Sequence, residues 1–314
     1  MIPLPQRQRG VALIIVMLIV AIASTAAVAM LSRQQLDLRR TENSLYYGQA
    51  RLYALGVEYL AKQVLMDDRK KNKTDDLSED WANPAGLKYS TTEGVQMSGK
   101  LTDLQGLYNI NALRQKGNAL KEAEAQFRRL LKVVGLDPEI SDAVVDWLDE
   151  NQDVHFPSGA EDNYYLGLPQ AYRTSGQPMV STSELLLVKG MTPKGFAALK
   201  PFVCALPKLS TLNINTAPAE VLATLADNLP LAQLQALVKK REQSPYTDVQ
   251  AFLSDRIFAG RQINSKALDV ASKYFMLHSE TRISHVLYQH TAMLERKAKP
   301  KITVRTLMRM EGEL

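Results

Sequence analysis

Val11 to Leu31 reads VALIIVMLIVAIASTAAVAML, a stretch without charge in which only Ser24 and Thr25 are mildly polar. About 20 apolar residues wound as a helix rise about 30 Å, enough to cross the hydrocarbon of a bilayer. Arg7 and Arg9 precede the stretch and favour a cytoplasmic N-terminus, a bias that Arg33, Arg39 and Arg40 beyond it weaken. A cleaved secretory signal is the competing reading, because Ala27-Val28-Ala29 offers a small-residue cleavage site. Against it, the apolar run exceeds a usual signal core and the helical pattern continues. Leu31, Leu38, Leu45, Leu52 and Tyr59 recur every seven residues with Leu36, Leu55 and Leu60 beside them, and no proline follows Val11 until Pro84. The pattern predicts one helix from Val11 to about Leu65. Its stripe is expected to bury against partner helices, against the chain's own body, or against both.

Around this helix the chain is long, at 314 residues, and able to bury a sizeable core. The net charge of +5 is too mild, with both signs mixed along the chain, to argue nucleic acid by itself. Cys204 is the single cysteine, so no intrachain disulfide forms, and its setting in Phe202-Val203-Cys204-Ala205-Leu206 reads as a small buried hydrophobe.

Past the helix, Asp67 to Asp80 is dominated by Lys, Asp, Asn and Ser and reads as an exposed connector, with structure resuming at Trp81. Val95 to Tyr108 alternates like a strand or two and leads into an Asn109-Ile110-Asn111 corner. Helices are expected over 119–134, over 138–148 with Asp137 as cap, over 219–226, 231–243 and 249–253. Ser181 and Glu184 have capping-box spacing ahead of Leu185-Leu186-Leu187. Tyr274-Phe275-Met276-Leu277, Ile283 to Tyr288 and Ile302 to Leu307 have strand content, with a basic turn around Pro300. Strand signals therefore flank a long helical block, which gives an α+β fold: a long N-terminal transmembrane helix, a small antiparallel sheet and a large inserted all-α domain.

The feature with chemistry in it is an acidic loop. Asp149, Asn151 and Asp153 alternate after the helix ending at Trp147-Leu148, and Glu161 and Asp162 follow a Pro157 and Gly159 turn. Alternating oxygen side chains suit Ca²⁺, which takes six to eight oxygens in flexible geometry. Val154 and Ala160 stand where an EF-hand needs glycine and glutamate, so it is not that motif. A solvated turn capping its own backbone is the alternative. Histidines 155, 278, 285 and 290 have no metal-binding spacing, and neither a nucleophile elbow nor a glycine-rich phosphate loop is present. A non-catalytic assembly subunit is expected, and His155 reads as a surface residue.

Gln8-Arg9-Gly10 followed by Val11-Ala12-Leu13-Ile14-Ile15 resembles the leader and cleavage site of type IV prepilins. The resemblance implies cutting after Gly10 by a prepilin peptidase and N-methylation of Val11. That family usually carries glutamate at the fifth mature residue, where this chain has Ile15; an unpaired glutamate in hydrocarbon would be costly to a subunit that docks beneath no other. The departure resembles the K-type minor pseudopilins of type II secretion. So do Asp103 to Asn111, Trp147-Leu148-Asp149, Gly159 to Tyr165 and Leu212 to Ala217. The implied organisation is a leader (1–10), a transmembrane and pilin helix (11–66), a first part of the pilin-like body (67–110), an inserted helical domain with the acidic loop (111–272) and C-terminal strands of the body (273–314). It further implies structural calcium in the insertion, inner-membrane anchoring with a periplasmic body, and assembly with I- and J-type minor pseudopilins and the major pseudopilin at a filament tip. A second resemblance, of Leu212 to Pro218 and Val188-Lys189-Gly190-Met191 to pieces of helix-hairpin-helix domains, offers a membrane-anchored DNA-binding protein as alternative. The second candidate hairpin, Leu229-Pro230-Leu231, lacks the glycines such a hairpin needs to approach phosphate, so no nucleic acid is expected.

Overall fold

The computed structural model describes residues 9–92 and 94–312. Residues 1–8 of the expected leader lie outside the described residues. Helix α1 spans Arg9–Lys71, six residues beyond the expected end, and finishes on Arg69, Lys70 and Lys71, whose charges suit the negative end of a helix. From Val11 its apolar stretch is exposed along its whole length, and among the described residues it is the one helix long and apolar enough to cross a membrane.

The second half of α1 has two faces. Ala50, Ala54, Val57, Ala61 and Leu65 are buried against the body, a spacing of three and four that puts them on one side of the helix. Leu31, Leu38, Leu45, Leu52 and Tyr59 all point to solvent at 58–69 % exposure, about half a turn away at ~100° per residue. The leucine stripe therefore does not pack on the chain's own body. The body takes the alanines instead, because small residues let the helix axis approach the sheet.

That sheet has five strands, in the order Lys88–Ser90, Gln96–Asp103, Tyr274–Ile283, Val286–Lys297 and Thr303–Glu311, antiparallel throughout. In chain order the elements are β1 (Lys88–Ser90), β2 (Gln96–Asp103), β3 (Tyr108–Asn109), α2 (Asn118–Val133), α3 (Ile140–Leu148), α4 (Asp162–Tyr165), α5 (Pro193–Leu199), β4 (Val203–Cys204), β5 (Leu212–Asn213), α6 (Ala219–Leu222), α7 (Leu231–Gln243), α8 (Val249–Leu253), β6 (Leu268–Asp269), β7 (Tyr274–Ile283), β8 (Val286–Lys297) and β9 (Thr303–Glu311). Adjacent β2 and β7 pair from Gln96↔Arg282 to Asp103↔Phe275, so everything between Leu104 and Lys273 is inserted at one end of that pair. Trp81, Leu101, Phe275, Leu277, Ala292 and Leu294 form the core between sheet and α1, with Trp81 edge-on to Phe275 at 5.2 Å.

Two sequence expectations change here. Ile283 to Tyr288, read as one strand, contains the β7–β8 turn: Ile283 pairs with Val286, and Ser284 takes φ 52°. The 67–80 segment, read as an exposed connector, buries Asp68, Asp75 and Asp76. Arg296 of β8 reaches across to bond Asp68 Oδ2 at 2.8 Å and the Asp75 carboxylate, which compensates acids that would otherwise stay in water.

The insertion has two cores. Phe127, Leu130, Leu131, Val144, Trp147, Leu148 and Tyr165 fill the first; Ile214, Leu222, Leu234, Phe252 and Phe258 fill the second. The capping box of Ser181 and Glu184 is present, though it opens a 3-10 turn at Thr182–Leu187 rather than an α-helix, and α6 likewise passes into 3-10 turns after Leu222. Cys204 lies buried in β4, its thiol donating to the Leu104 carbonyl at 3.2 Å.

Candidate functional site

The acidic loop hangs from the C-terminus of α3. Asp146 is fully buried on that helix, and Asp149 caps its end, one turn further along the same side. Glu161, 2 % exposed, comes from the return of the loop just before α4. One carboxylate oxygen from each of the three lies within 4.8 Å of the others. The loop closes tightly enough to need Gly159: a Cβ there would stand 2.2 Å from Asp146 Oδ2 and 2.4 Å from the His155 carbonyl oxygen.

Electrostatically the cluster is unbalanced. Asp146 accepts the His155 N–H at 3.0 Å, but neither Glu161 oxygen has a hydrogen-bond donor among the described residues; the nearby Thr174 hydroxyl donates to Asp162 Oδ1 at 3.1 Å. Burial, reinforced by Asp146, Asp149 and Asp162, pushes Glu161 up to about 8. Burial pushes Asp146 up to about 6 against the pull of the His155 and Ala160 N–H groups, and raises Asp149 as well. No Lys or Arg makes an ion pair with these three carboxylates among the described residues.

Two other acidic clusters differ on that point. Glu124, Asp142 and His155 converge, but Arg128 bonds Glu124 at 2.8 Å and also Asp142. Asp68, Asp75 and Glu79 converge, and Arg296 pairs with Asp68 and Asp75. Each contains its own cation; the 146–149–161 cluster does not, and its donor set of hard carboxylate oxygens fits calcium.

Of the residues singled out from sequence, the structure gathers Asp149 and Glu161. Asp162 stands next to them with its carboxylate engaged by Thr174 and by Arg173 at 3.6 Å. Asn151 and Asp153 are exposed, in successive turns where Asp149 Oδ1 accepts the Asn151 N–H at 3.0 Å and Asn151 Oδ1 accepts the Asp153 N–H at 2.7 Å. Asp146 was missed. Its i,i+3 relation to Asp149 was the available signal. His155, read as a surface residue, is half-buried with Nε2 3.3 Å from Glu124 Oε2.

The asparagine corners serve a different purpose from phosphate binding. Asn213 Nδ2 is buried and donates to the Asp75 carbonyl, Asp103 Oδ2 and Ser272 Oγ at 2.9–3.0 Å. Asn111 exchanges hydrogen bonds with the backbone of Met179 and donates to the Leu206 carbonyl. Lys189, beside Gly190, donates to the Ser158 and Gly159 carbonyls and so ties down the acidic loop.

Residues 106–208 and 212–271 match the two segments of the type II secretion system protein K family. The chain is 34% identical to type II secretion system protein K of Pseudomonas aeruginosa, over 95% of this chain and 91% of that protein. It is 34% identical to its counterpart in Aeromonas hydrophila, over 87% and 88%. The chain belongs to the type II secretion system protein K family. The crystal structure of the GspK-GspI-GspJ complex from enterotoxigenic Escherichia coli superposes with a TM-score of 0.76 at 27% identity, covering 88% of this chain and 100% of that one. The family found is thus the one that Ile15 and the inner motifs pointed to, and the α+β fold with a helical insertion is the one expected for protein K.

Proposed function

We propose that this chain stands at the tip of a type II secretion pseudopilus and initiates and caps filament assembly with I- and J-type minor pseudopilins above the major pseudopilin. A prepilin peptidase cuts after Gly10, Val11 becomes the N-methylated first residue, and α1 holds the chain in the inner membrane with its body in the periplasm. The observation that carries the reading is the two-faced α1: the alanine face is taken by the body, while Leu38, Leu45, Leu52 and Tyr59 lie uncovered beyond the reach of a bilayer. The company of GspI and GspJ in the solved relative supports a helical partner for that stripe. Ile15 in place of glutamate and the bulk of the insertion both suit a subunit on which nothing is added.

In this reading the acidic loop binds calcium through Asp146, Asp149 and Glu161, with Asp162 bracing the loop from behind. The ion would neutralise carboxylates that otherwise repel one another and would fasten the loop to α3; no catalytic step is involved.

The test is purification of the full chain from membranes with both partners co-expressed. The chain should carry the intact mass of a form beginning at N-methylated Val11 and bring down both partners, and Leu45→Asp with Leu52→Asp should lose the partners without lowering the melting temperature. Retention of both partners by that double variant would sink the proposal.

A further inference from the structure

Beside the far end of α1, a hollow of about 890 Å³ opens between the residues that follow the helix, the 208–211 and 266–273 segments of the insertion, and the β8–β9 loop. Lys73, Lys208, Lys266, Lys273, Lys297 and Lys299 line it, and all six are exposed. None of the six takes part in an ion pair among the described residues. The acids that line it among the described residues do not balance them: they are Asp269 and Glu295, of which Glu295 pairs with Arg305, while Asp75 and Asp68 take Arg296. Six like charges left around one concavity repel one another, and the potential they create is focused by the low-dielectric walls.

Three features choose among anions. The lysines come from four separate segments and are spread around a hollow of about 890 Å³, which fits charges strung along a chain better than one compact phosphate. Leu209, 57 % exposed, also lines it and offers apolar contact to a side chain. From Leu31 to Arg69 the helix rises about 57 Å at ~1.5 Å per residue, so the headgroups of the bilayer that holds α1 lie out of reach.

We infer that this hollow binds a carboxylate-rich segment of another protein. The site is separate from both the leucine stripe and the acidic loop. Its ligand is recognised by Lys–carboxylate pairing with an apolar side chain seated on Leu209.

The full chain in neutral detergent micelles is titrated into a fluorescein-labelled peptide of six glutamates flanked by leucines, followed by anisotropy. Binding at ~50 mM salt should weaken about tenfold by ~300 mM, where screening shortens to below ~10 Å. A glutamine version of the peptide should not bind. Lys266→Glu with Lys273→Glu should weaken binding at least about tenfold, while Lys121→Glu with Lys132→Glu, a matched change on α2, should leave it within about twofold, as expected for charges beyond screening range. Melting temperature checks that both variants are folded. Absence of binding, or equal binding by the two double variants, overturns the proposal. Inorganic polyphosphate of matched charge binding more than about tenfold tighter, with the same dependence on Lys266 and Lys273, also overturns it and assigns the hollow to phosphate polyanions.

Discussion

Glu161 is the residue on which the metal reading turns. In an unfolded chain it ionises near the ordinary 4.5 and Asp146 near 3.8, whereas the folded loop moves them to about 8 and about 6. Between those limits the folded state holds more protons than the unfolded state, so stability falls as pH rises from about 4 to about 8 when no cation is bound. A bound cation favours the ionised form and removes that slope. In chelator, the melting temperature should therefore drop between pH 5 and pH 8. Calcium at about a hundredfold excess over its Kd should restore ~2.7 kcal/mol, or roughly 5–10 °C, near neutral pH. Glu161→Gln should flatten the chelator slope and abolish most of the calcium increment. An unchanged melting temperature on adding calcium to the wild type at pH 7.5 would defeat the assignment.

At the level of elements, α1 is fastened to the sheet by a polar clamp as well as by its alanines. Glu58, 2 % exposed, receives His290 Nε2 at 3.1 Å from β8, Arg309 at 2.8 and 2.9 Å and Thr306 from β9, and Lys62 at 2.7 Å from its own helix. Burial alone would raise this carboxyl, but the hydrogen bonds from His290, Arg309, Lys62 and Thr306 together hold it far below the usual range. A depressed folded value means that its contribution is complete above about pH 5 and is lost only in acid. Glu58→Ala should cost about 2 kcal/mol in urea unfolding at pH 7, because His290 stays buried without its acceptor while Arg309 and Lys62 can return to water. Lys62→Ala should cost under about 1 kcal/mol. The sequence showed why α7 and α8 form, since their apolar spacing and flanking prolines or caps are local signals. It could not show the clamp, whose members at 58, 290 and 309 share no local pattern. The same distance hid the burial of Asp68 and Asp75 and hid the reason for Asn213, because Arg296 and Ser272 are what make those positions polar and internal.

Across the whole molecule, the insertion, the sheet and the end of α1 meet at one buried joint. Asp103 Oδ2 accepts from Asn213, Thr216 and Ser272 at 2.6–2.9 Å, and Ser272 N–H donates to Asp75 at 2.7 Å. Gly106 brings the two backbones together there, since a Cβ would lie 2.6 Å from Thr216 Oγ1 and 3.0 Å from its carbonyl carbon. Replacing Asn213 with Ala leaves Asp103 and the Asp75 carbonyl short of a donor and should cost about 2–3 kcal/mol. Because the damage falls between sheet and insertion, urea unfolding followed by Trp81 and Trp147 fluorescence should separate into two transitions. A single unchanged transition would show that the joint does not couple the two parts.

Asn43 of α1 meets His285 at 2.5 Å, and among the described residues those from Val11 to Glu42 before it are all exposed. Mechanically the molecule is a head on a bare shaft of about 45–50 Å at ~1.5 Å per residue. A tilt of about 10° where the shaft is gripped would swing the base of the head by about 8 Å over that lever arm. The aim of the head is therefore set by whatever clasps the shaft.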